Sequence, residues 1–155
     1  ETWNGTNWTE VNNLNLARRQ MMSQGINNTS SIVAGGFMTP PSGSTVNVET
    51  WNGTNWTEVG NLNQAKYANG GLGVAGAALS IGGLTPSITS NVEEWNGSSW
   101  TETTNYPANS KNACGGGTTS SGLAYDGENN PDSAVTTSHT WTGAGSPVIR
   151  TIDTD

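Results

Sequence analysis

The sequence predicts an all-β protein of stacked, four-stranded antiparallel sheets, built from tandem repeats. Three observations predict it. The stretch ETWNGTNWTEV at residues 1–11 returns unchanged at 49–59, and EEWNGSSWTET follows at 93–103. Seven Trp and 21 Gly fall at recurring places in an otherwise small and polar composition. Apolar runs are short and bounded by glycine, and no segment reads as a convincing helix.

The repeat sets the frame. Its anchor residues are Trp3, Trp51, Trp95 and, in the degenerate copy HTWTGAG, Trp141, spaced 48, 44 and 46 residues apart. A second landmark keeps step: Gly35-Gly36, Gly82-Gly83 and, with one glycine kept, Asp126-Gly127. From anchor Trp to second Gly the separations are 33, 32 and 32, and from that Gly to the next Trp 15, 12 and 14. Length variation therefore gathers in Phe37–Val46, Leu84–Asn91 and Glu128–Ala134, where a surface loop is expected. The chain divides into repeats at about 1–48, 49–92 and 93–138 with a partial copy at 139–155, all in one domain over 1–155.

Each repeat reads as four short strands. Val48–Trp51 and a strand from Trp56 to Val59 flank Asn52-Gly53, a dipeptide suited to the positive φ values of a type I′ hairpin turn. A glycine-rich strand covers Asn69–Val74, and Ala77–Ile81 reads as a strand buried on both faces. Leu14–Met22 has some helical propensity, but its counterpart Leu62–Asn69 runs into glycines, so both read as loop then strand. Four strands per repeat of this length is the pattern of a β-propeller blade, which buries its faces only by stacking on copies of itself. Gly70, Gly71, Gly73 and Gly115–Gly117 suit a crowded innermost strand. The count comes to about three and a half blades, fewer than the four to eight of a closed ring. Upstream repeats, further chains, or a different all-β stack would each resolve the shortfall.

Composition excludes several classes. Net charge is −7 with five basic residues, which disfavours nucleic acid and anionic membrane surfaces as partners. No stretch is apolar enough to span a bilayer. The chain opens on Glu1 without a secretory signal, so a processed chain or one lacking an N-terminal part is expected. Cys114 stands alone and cannot form a disulfide within the chain; a small buried residue on a glycine-rich strand is expected there.

The paired tryptophans and double glycines resemble the kelch repeat. That family ends one strand in a double glycine, then carries a Tyr strand and a spaced Trp. Gly35-Gly36 and Gly82-Gly83 match the glycines; Trp51 and Trp95 stand where kelch has Tyr, and Trp56 and Trp100 where it has Trp. The E-x-W-N-G-x-x-W-T-E pattern is similar to kelch-like repeat proteins of tailed phages, marine cyanophages above all. The resemblance implies an incomplete kelch-like β-propeller, with Trp3, Trp8, Trp51, Trp56, Trp95, Trp100, Trp141, Gly35, Gly36, Gly82, Gly83 and Gly127 as structural anchors.

Catalytic chemistry finds little support in the sequence. The single His, His139, occupies the slot of Glu1, Glu49 and Glu93, and reads as a tolerated surface substitution. No nucleophile-elbow context supports a Ser-His-Asp triad. Copper oxidases on kelch-like folds need more His and Tyr ligands than one His and three Tyr supply. The acids Glu1, Glu10, Glu49, Glu58, Glu93 and Glu102 flank the hairpins and read as solvated strand edges. Asp126, Glu128, Asn130 and Asp132 alternate as calcium ligands do, but Pro131 replaces the loop glycine and Thr137 the closing acid. The Trp pairs could stack on sugars, though packing between sheets is the favoured reading. The sequons at Asn4, Asn7, Asn27, Asn28, Asn52, Asn55 and Asn96 follow from turn chemistry. The expectation is a non-enzymatic module without cofactor, in a virion as appendage, fibre or decoration protein. It would contact other virion proteins, further copies of itself or a host surface glycan. The alternatives are a secreted bacterial lectin-like or adhesion propeller and the accessory domain of an enzyme.

Overall fold

The computed structural model describes residues 1–125, 127–129 and 133–143. The chain is all-β, and no helix occurs among the described residues. It opens on a hairpin of β1 (Thr2–Trp3) and β2 (Trp8–Thr9). The first large sheet begins with β3 (Met22–Asn27) and β4 (Ser30–Ala34). A small hairpin of β5 (Phe37–Met38) and β6 (Gly43–Ser44) intervenes before β7 (Val48–Trp51) and β8 (Trp56–Glu58) complete that sheet. The second sheet holds β9 (Gly70–Val74), β10 (Ala77–Ile81), β11 (Val92–Trp95) and β12 (Trp100–Glu102). In the third, β13 (Cys114–Thr118) and β14 (Ser121–Tyr125) precede a hairpin of β15 (Glu128–Asn129) and β16 (Ser133–Ala134), and β17 (Ser138–Trp141) then pairs with β14.

Each large sheet is an antiparallel meander in chain order. The hydrogen-bonded unit is offset from the sequence repeat. The Trp hairpin that opens one repeat closes the sheet begun by the repeat before it, as β10 pairing with β11 shows. Val48–Trp51 and Ala77–Ile81 form over the expected residues. Both Leu14–Met22 and Leu62–Asn69 are loop leading into strand. The three variable segments lie outside the large sheets, and the first and third carry the small hairpins.

The Asn-Gly turns differ from the type I′ expectation. Four residues, not two, separate Trp51 from its partner Trp56, and only the glycine takes positive φ, 94° at Gly53. The Asn52 side chain supplies the missing closure: its Oδ1 accepts the N–H groups of Thr54 and Asn55, both at 2.9 Å. Asn4 and Asn96 repeat the device.

Two apolar layers stack the sheets. Side chains alternate along a strand, so β10 feeds both. Ala78 points to the first layer, with Met22, Ile32, Ala34, Val48, Leu62, Trp95 and Trp100. Leu79 and Ile81 point to the second, with Leu72, Val92, Tyr106, Ala124 and Trp141. Each fully buried side chain of this size contributes about 1.5–3 kcal/mol. Where the glycine-rich strands converge, Gly70 and Gly71 leave no room for a side chain: a Cβ would strike Ala113 or Met22. Gly115 is equally confined, its Cβ position lying 2.8 Å from Gly71 O. Gly73 and Gly117, paired in the strands just before the hairpin turns, take positive φ, and Gly116 faces open space.

Candidate binding surface

The first and second sheets meet their lead-in loops on one polar plan. Beside the first sheet, the buried Glu49 carboxylate meets Arg18 Nη1 at 2.8 Å. It also accepts the backbone and side-chain N–H groups of Asn15 at 2.8 and 2.9 Å. Arg18 donates onward to Asn47 at 2.7 Å, and Asn47 donates to Glu58 at 2.6 Å. Beside the second sheet the same chain of contacts runs through the equivalent residues. Lys66 Nζ lies 3.1 Å from Glu93 and 2.9 Å from Asn91, Asn63 donates twice to Glu93, and Asn91 donates to Glu102 at 2.7 Å. Burial pushes Arg18 and Lys66 below their ordinary pKa values, and the facing Glu49 and Glu93 pull the other way.

These contacts correct the solvated-edge reading of Glu49 and Glu93. Both are fully buried, because the lead-in loop to each sheet lays a cation and an asparagine over them. Glu1, Glu10, Glu58 and Glu102 are exposed as expected. Arg18, Lys66, Asn15 and Asn63 were not singled out in the sequence. Their signal was phase: the asparagine follows the anchor Trp by 12 residues and the cation by 15 in both copies. In the third sheet Ser110 and His139 hold the equivalent places. His139 is half-buried rather than on the surface, since the Tyr106 ring packs edge-on against it at 4.8 Å.

The anchor tryptophans follow the plan as well. Trp51, Trp95 and Trp141 are buried, and each donates its indole N–H to a carbonyl in the turn of the preceding hairpin, at 2.9, 3.0 and 2.8 Å. Trp100 is buried and Trp56 half-buried. The packing expectation fails at the first hairpin: Trp3 is 47% and Trp8 64% exposed. These rings still lie 5.4 Å apart, as Trp51 and Trp56 do, but no sheet of the described residues covers them. An open cleft of about 940 Å³ separates this hairpin from the first sheet, lined by Trp8, Trp51, Trp56, Asn12 and Asn28 among others.

Among the described residues, none covers the outer face of the third sheet. Leu123 and Tyr125 are 40% and 46% exposed, although their counterparts Leu79 and Ile81 are buried. Cys114 beside them is exposed, which corrects the expected burial; no described strand lies over this face of β13. The double glycines bring the sheets together. Gly36 and Gly83 donate to the carbonyls of Lys66 and Ser110, both at 2.8 Å. Gly127, at the third sheet, packs against Asn112 O of that sheet's own lead-in loop. Of the calcium candidates, Asp126, Asn130 and Asp132 lie outside the described residues. Glu128 is engaged by Lys111 at 3.2 Å and by Asn112 at 3.3 Å. Among the described residues no group of three or more His, Cys, Asp or Glu is placed to hold a metal.

Neither a scan of protein-family models nor a search of curated proteins finds a match to this chain. Among solved structures the chain is similar to YjhT, at 12% identity and a TM-score of 0.68. The match covers 82% of this chain and 43% of YjhT, so the chain spans less than half the length of that structure. At this identity the likeness speaks for the fold alone.

Proposed function

We propose that the chain is a non-catalytic binding and structural module, three sheets and a hairpin of a kelch-like β-propeller, carried by a phage virion as an appendage, fibre or decoration. The observation that carries the reading is the repetition of one joint. Buried Glu, lead-in cation and paired asparagines recur at the first and second sheets, and the glycine contact recurs from the first to the second and from the second to the third. The buried charged side chains are thereby committed to holding sheets together. That leaves the variable segments Phe37–Val46, Leu84–Asn91 and Glu128–Ala134, apart from Val46, Asn91 and Glu128, which pack or bond to the stack, as the parts free to differ. The kelch resemblance supports the propeller, and the similarity of the tryptophan pattern to phage repeat proteins supports the virion.

Peptide mass spectrometry of purified particles tests this reading. The chain is expected at stoichiometric levels; its absence from particles would end the virion assignment. A second reading, a secreted lectin-like adhesin, is favoured by the exposed Trp3 and Trp8 beside an open cleft lined by tryptophans and asparagines. A glycan array separates the two. Saturable binding that Trp8→Ala abolishes would support the lectin, and a blank array would remove it.

A further inference from the structure

The joint at the second sheet sets a lysine amine against an asparagine carbonyl and a glutamate carboxylate, out of water. Lys66 Nζ lies 2.9 Å from Asn91 Oδ1 and 3.1 Å from Glu93 Oε1, and the side chains of Lys66 and Glu93 are fully buried. Glu93 Oε2 is occupied by the two N–H groups of Asn63. Its Oε1 faces the lysine and accepts from no other donor among the described residues. On the other side of the amide, Asn91 Nδ2 donates to Glu102 Oε1 at 2.7 Å. The asparagine is therefore held at both ends, carbonyl toward the amine and nitrogen toward an exposed carboxylate. Its Cγ stands one carbonyl bond, about 1.2 Å, behind the contacted oxygen, so a small rotation of the flexible lysine stem brings Nζ onto it. Burial lowers the Lys66 pKa, with Glu93 opposing, and a desolvated lysine is a stronger nucleophile once its proton is gone.

We infer that Lys66 and Asn91 join in an isopeptide bond, a covalent cross-link between the lead-in loop of the second sheet and the residue that opens β11, with Glu93 as the proton carrier. Glu93 Oε1 takes a proton from the ammonium and frees the lone pair on Nζ. Nζ then forms a bond to Asn91 Cγ, and the bond from Cγ to Nδ2 breaks. Of the three ammonium protons one stays on the new amide nitrogen, and one is relayed by Glu93 to Nδ2, which leaves as ammonia. The third, held by Glu93, departs with the ammonia as ammonium, so no oxidant or further reactant is needed. The first sheet provides the contrast. Arg18 contacts Asn47 and Glu49 at 2.7 and 2.8 Å, and Asn47 donates to Glu58, in the same arrangement. A guanidinium keeps its proton and offers no lone pair, so that site stays unlinked. At the third sheet Ser110 stands in the place of the cation. The bond forms after folding, because folding is what brings residues 66 and 91 together. The freshly folded chain carries the ion pair, and the aged chain the cross-link.

Intact-mass spectrometry of the whole chain, freshly purified and after prolonged incubation in mildly alkaline buffer, tests this. The expected result is loss of the mass of one ammonia. Trypsin is then expected to stop cutting after Lys66, and fragmentation to place Lys66 and Asn91 in one looped peptide. Glu93→Gln is expected to slow the loss about a hundredfold or more. Lys66→Arg, which copies the first sheet, is expected to abolish it. Circular dichroism establishes that the variants fold; Asn91→Ala replaces either one that does not, and is expected to abolish the loss. An Asn-Gly turn that closes to a succinimide also sheds ammonia, so the mapped position of the link decides between the two. A wild-type chain that keeps its full mass and its tryptic cut at Lys66 throughout would overturn the inference. So would an ammonia loss that persists in folded Lys66→Arg, and Glu93→Gln reacting at the wild-type rate would overturn the role of Glu93.

Discussion

The joint between the first and second sheets and the joint between the second and third share a topology but not a chemistry. The first closes over a buried ion pair, Lys66 with Glu93, in which Asn63 donates to the carboxylate and Asn91 accepts from the lysine. The second puts Ser110 and His139 in the same places and sets Tyr106 against the imidazole. The apolar contribution is comparable on both sides, with Ala78 feeding one layer and Leu79 and Ile81 the other. The ion pair is therefore not what makes sheets stack. A buried pair contributes little net stability against an apolar replacement, and breaking one is costly. The lesson is that the repeat specifies the joint through its glycines, tryptophans and aliphatic faces. The charged cluster sets how severely a single substitution is felt.

The largest expected effect follows directly. Glu93→Leu leaves Lys66 as an uncompensated buried charge and removes the carboxylate oxygen that accepts two Asn63 N–H groups, Trp100 O remaining as an acceptor, a loss of about 3–5 kcal/mol. His139→Leu, in the same slot of the third sheet, leaves no buried lysine behind, since Ser110 stands where Lys66 does, and is expected to cost less. Urea denaturation midpoints measure both. If the two substitutions cost the same, the two joints do not differ in the way argued here. Adding Lys66→Met to Glu93→Leu is expected to recover at least half of the loss, because it removes the stranded charge.

The glycines come next. Gly82 has φ of 59°, and a Cβ there would run into Ser110 O. Gly82→Ala is expected to cost about 1–3 kcal/mol through backbone strain and a forced shift of the third sheet's lead-in loop. Gly116 lies in the glycine-rich strand of the third sheet with nothing near its Cβ position. Gly116→Ala is expected to change stability by less than about 0.5 kcal/mol. Equal losses would mean that glycine is required along these strands for some reason other than close approach.

Lys66 also makes one joint sensitive to alkaline pH. Burial holds its folded pKa below the ordinary 10.5, with Glu93 opposing. Between that lowered value and 10.5 the unfolded chain binds the proton and the folded chain does not. This group's contribution to stability therefore rises with pH across that window. The slope of stability against pH in that range is expected to be more positive in the wild type than in Lys66→Met. A lysine resonance followed by carbon NMR locates the lower edge of the window directly; a midpoint at or above 10.5 would remove the effect.

Most of the fold was legible in the sequence, since the repeat fixes phase and phase fixes strands. Val48–Trp51 and Ala77–Ile81 could be read to the residue because turn-forming and apolar residues bound them on both sides. The all-β stack followed from the anchor tryptophans and glycines. What escaped depends on contacts distant in sequence. Glu93 reads as a surface acid until Lys66, from the preceding lead-in loop, is laid over it. Cys114 and Trp8 reach their exposures through what does or does not lie beyond them, which local pattern does not encode. The turn at Asn52-Gly53 was misread because the dipeptide is shared by two-residue and longer loops, and the choice lies in the pairing of Trp51 with Trp56.

The smallest prediction probes a feature both joints share. Gln20, Ala68 and Asn112 all adopt positive φ, at 55°, 52° and 57°. The three are linked in series: Ala68 N–H donates to Gln20 O and Asn112 N–H to Ala68 O, both at 2.7 Å. A left-handed conformation costs a residue with a side chain about 1 kcal/mol or more, less for asparagine than for alanine. Ala68 is the buried member and has no side-chain polar group to offset the cost. Ala68→Gly removes the local strain, and the greater freedom of glycine in the unfolded chain returns part of that gain. The net expectation is a stabilisation of about 0.5 kcal/mol, read as a small rise in the urea midpoint with unchanged slope. Asn112→Gly at the second joint is expected to gain less, because asparagine tolerates this region. A clear loss at Ala68→Gly would show that its methyl group contributes more to packing between the lead-in loops than its backbone strain costs.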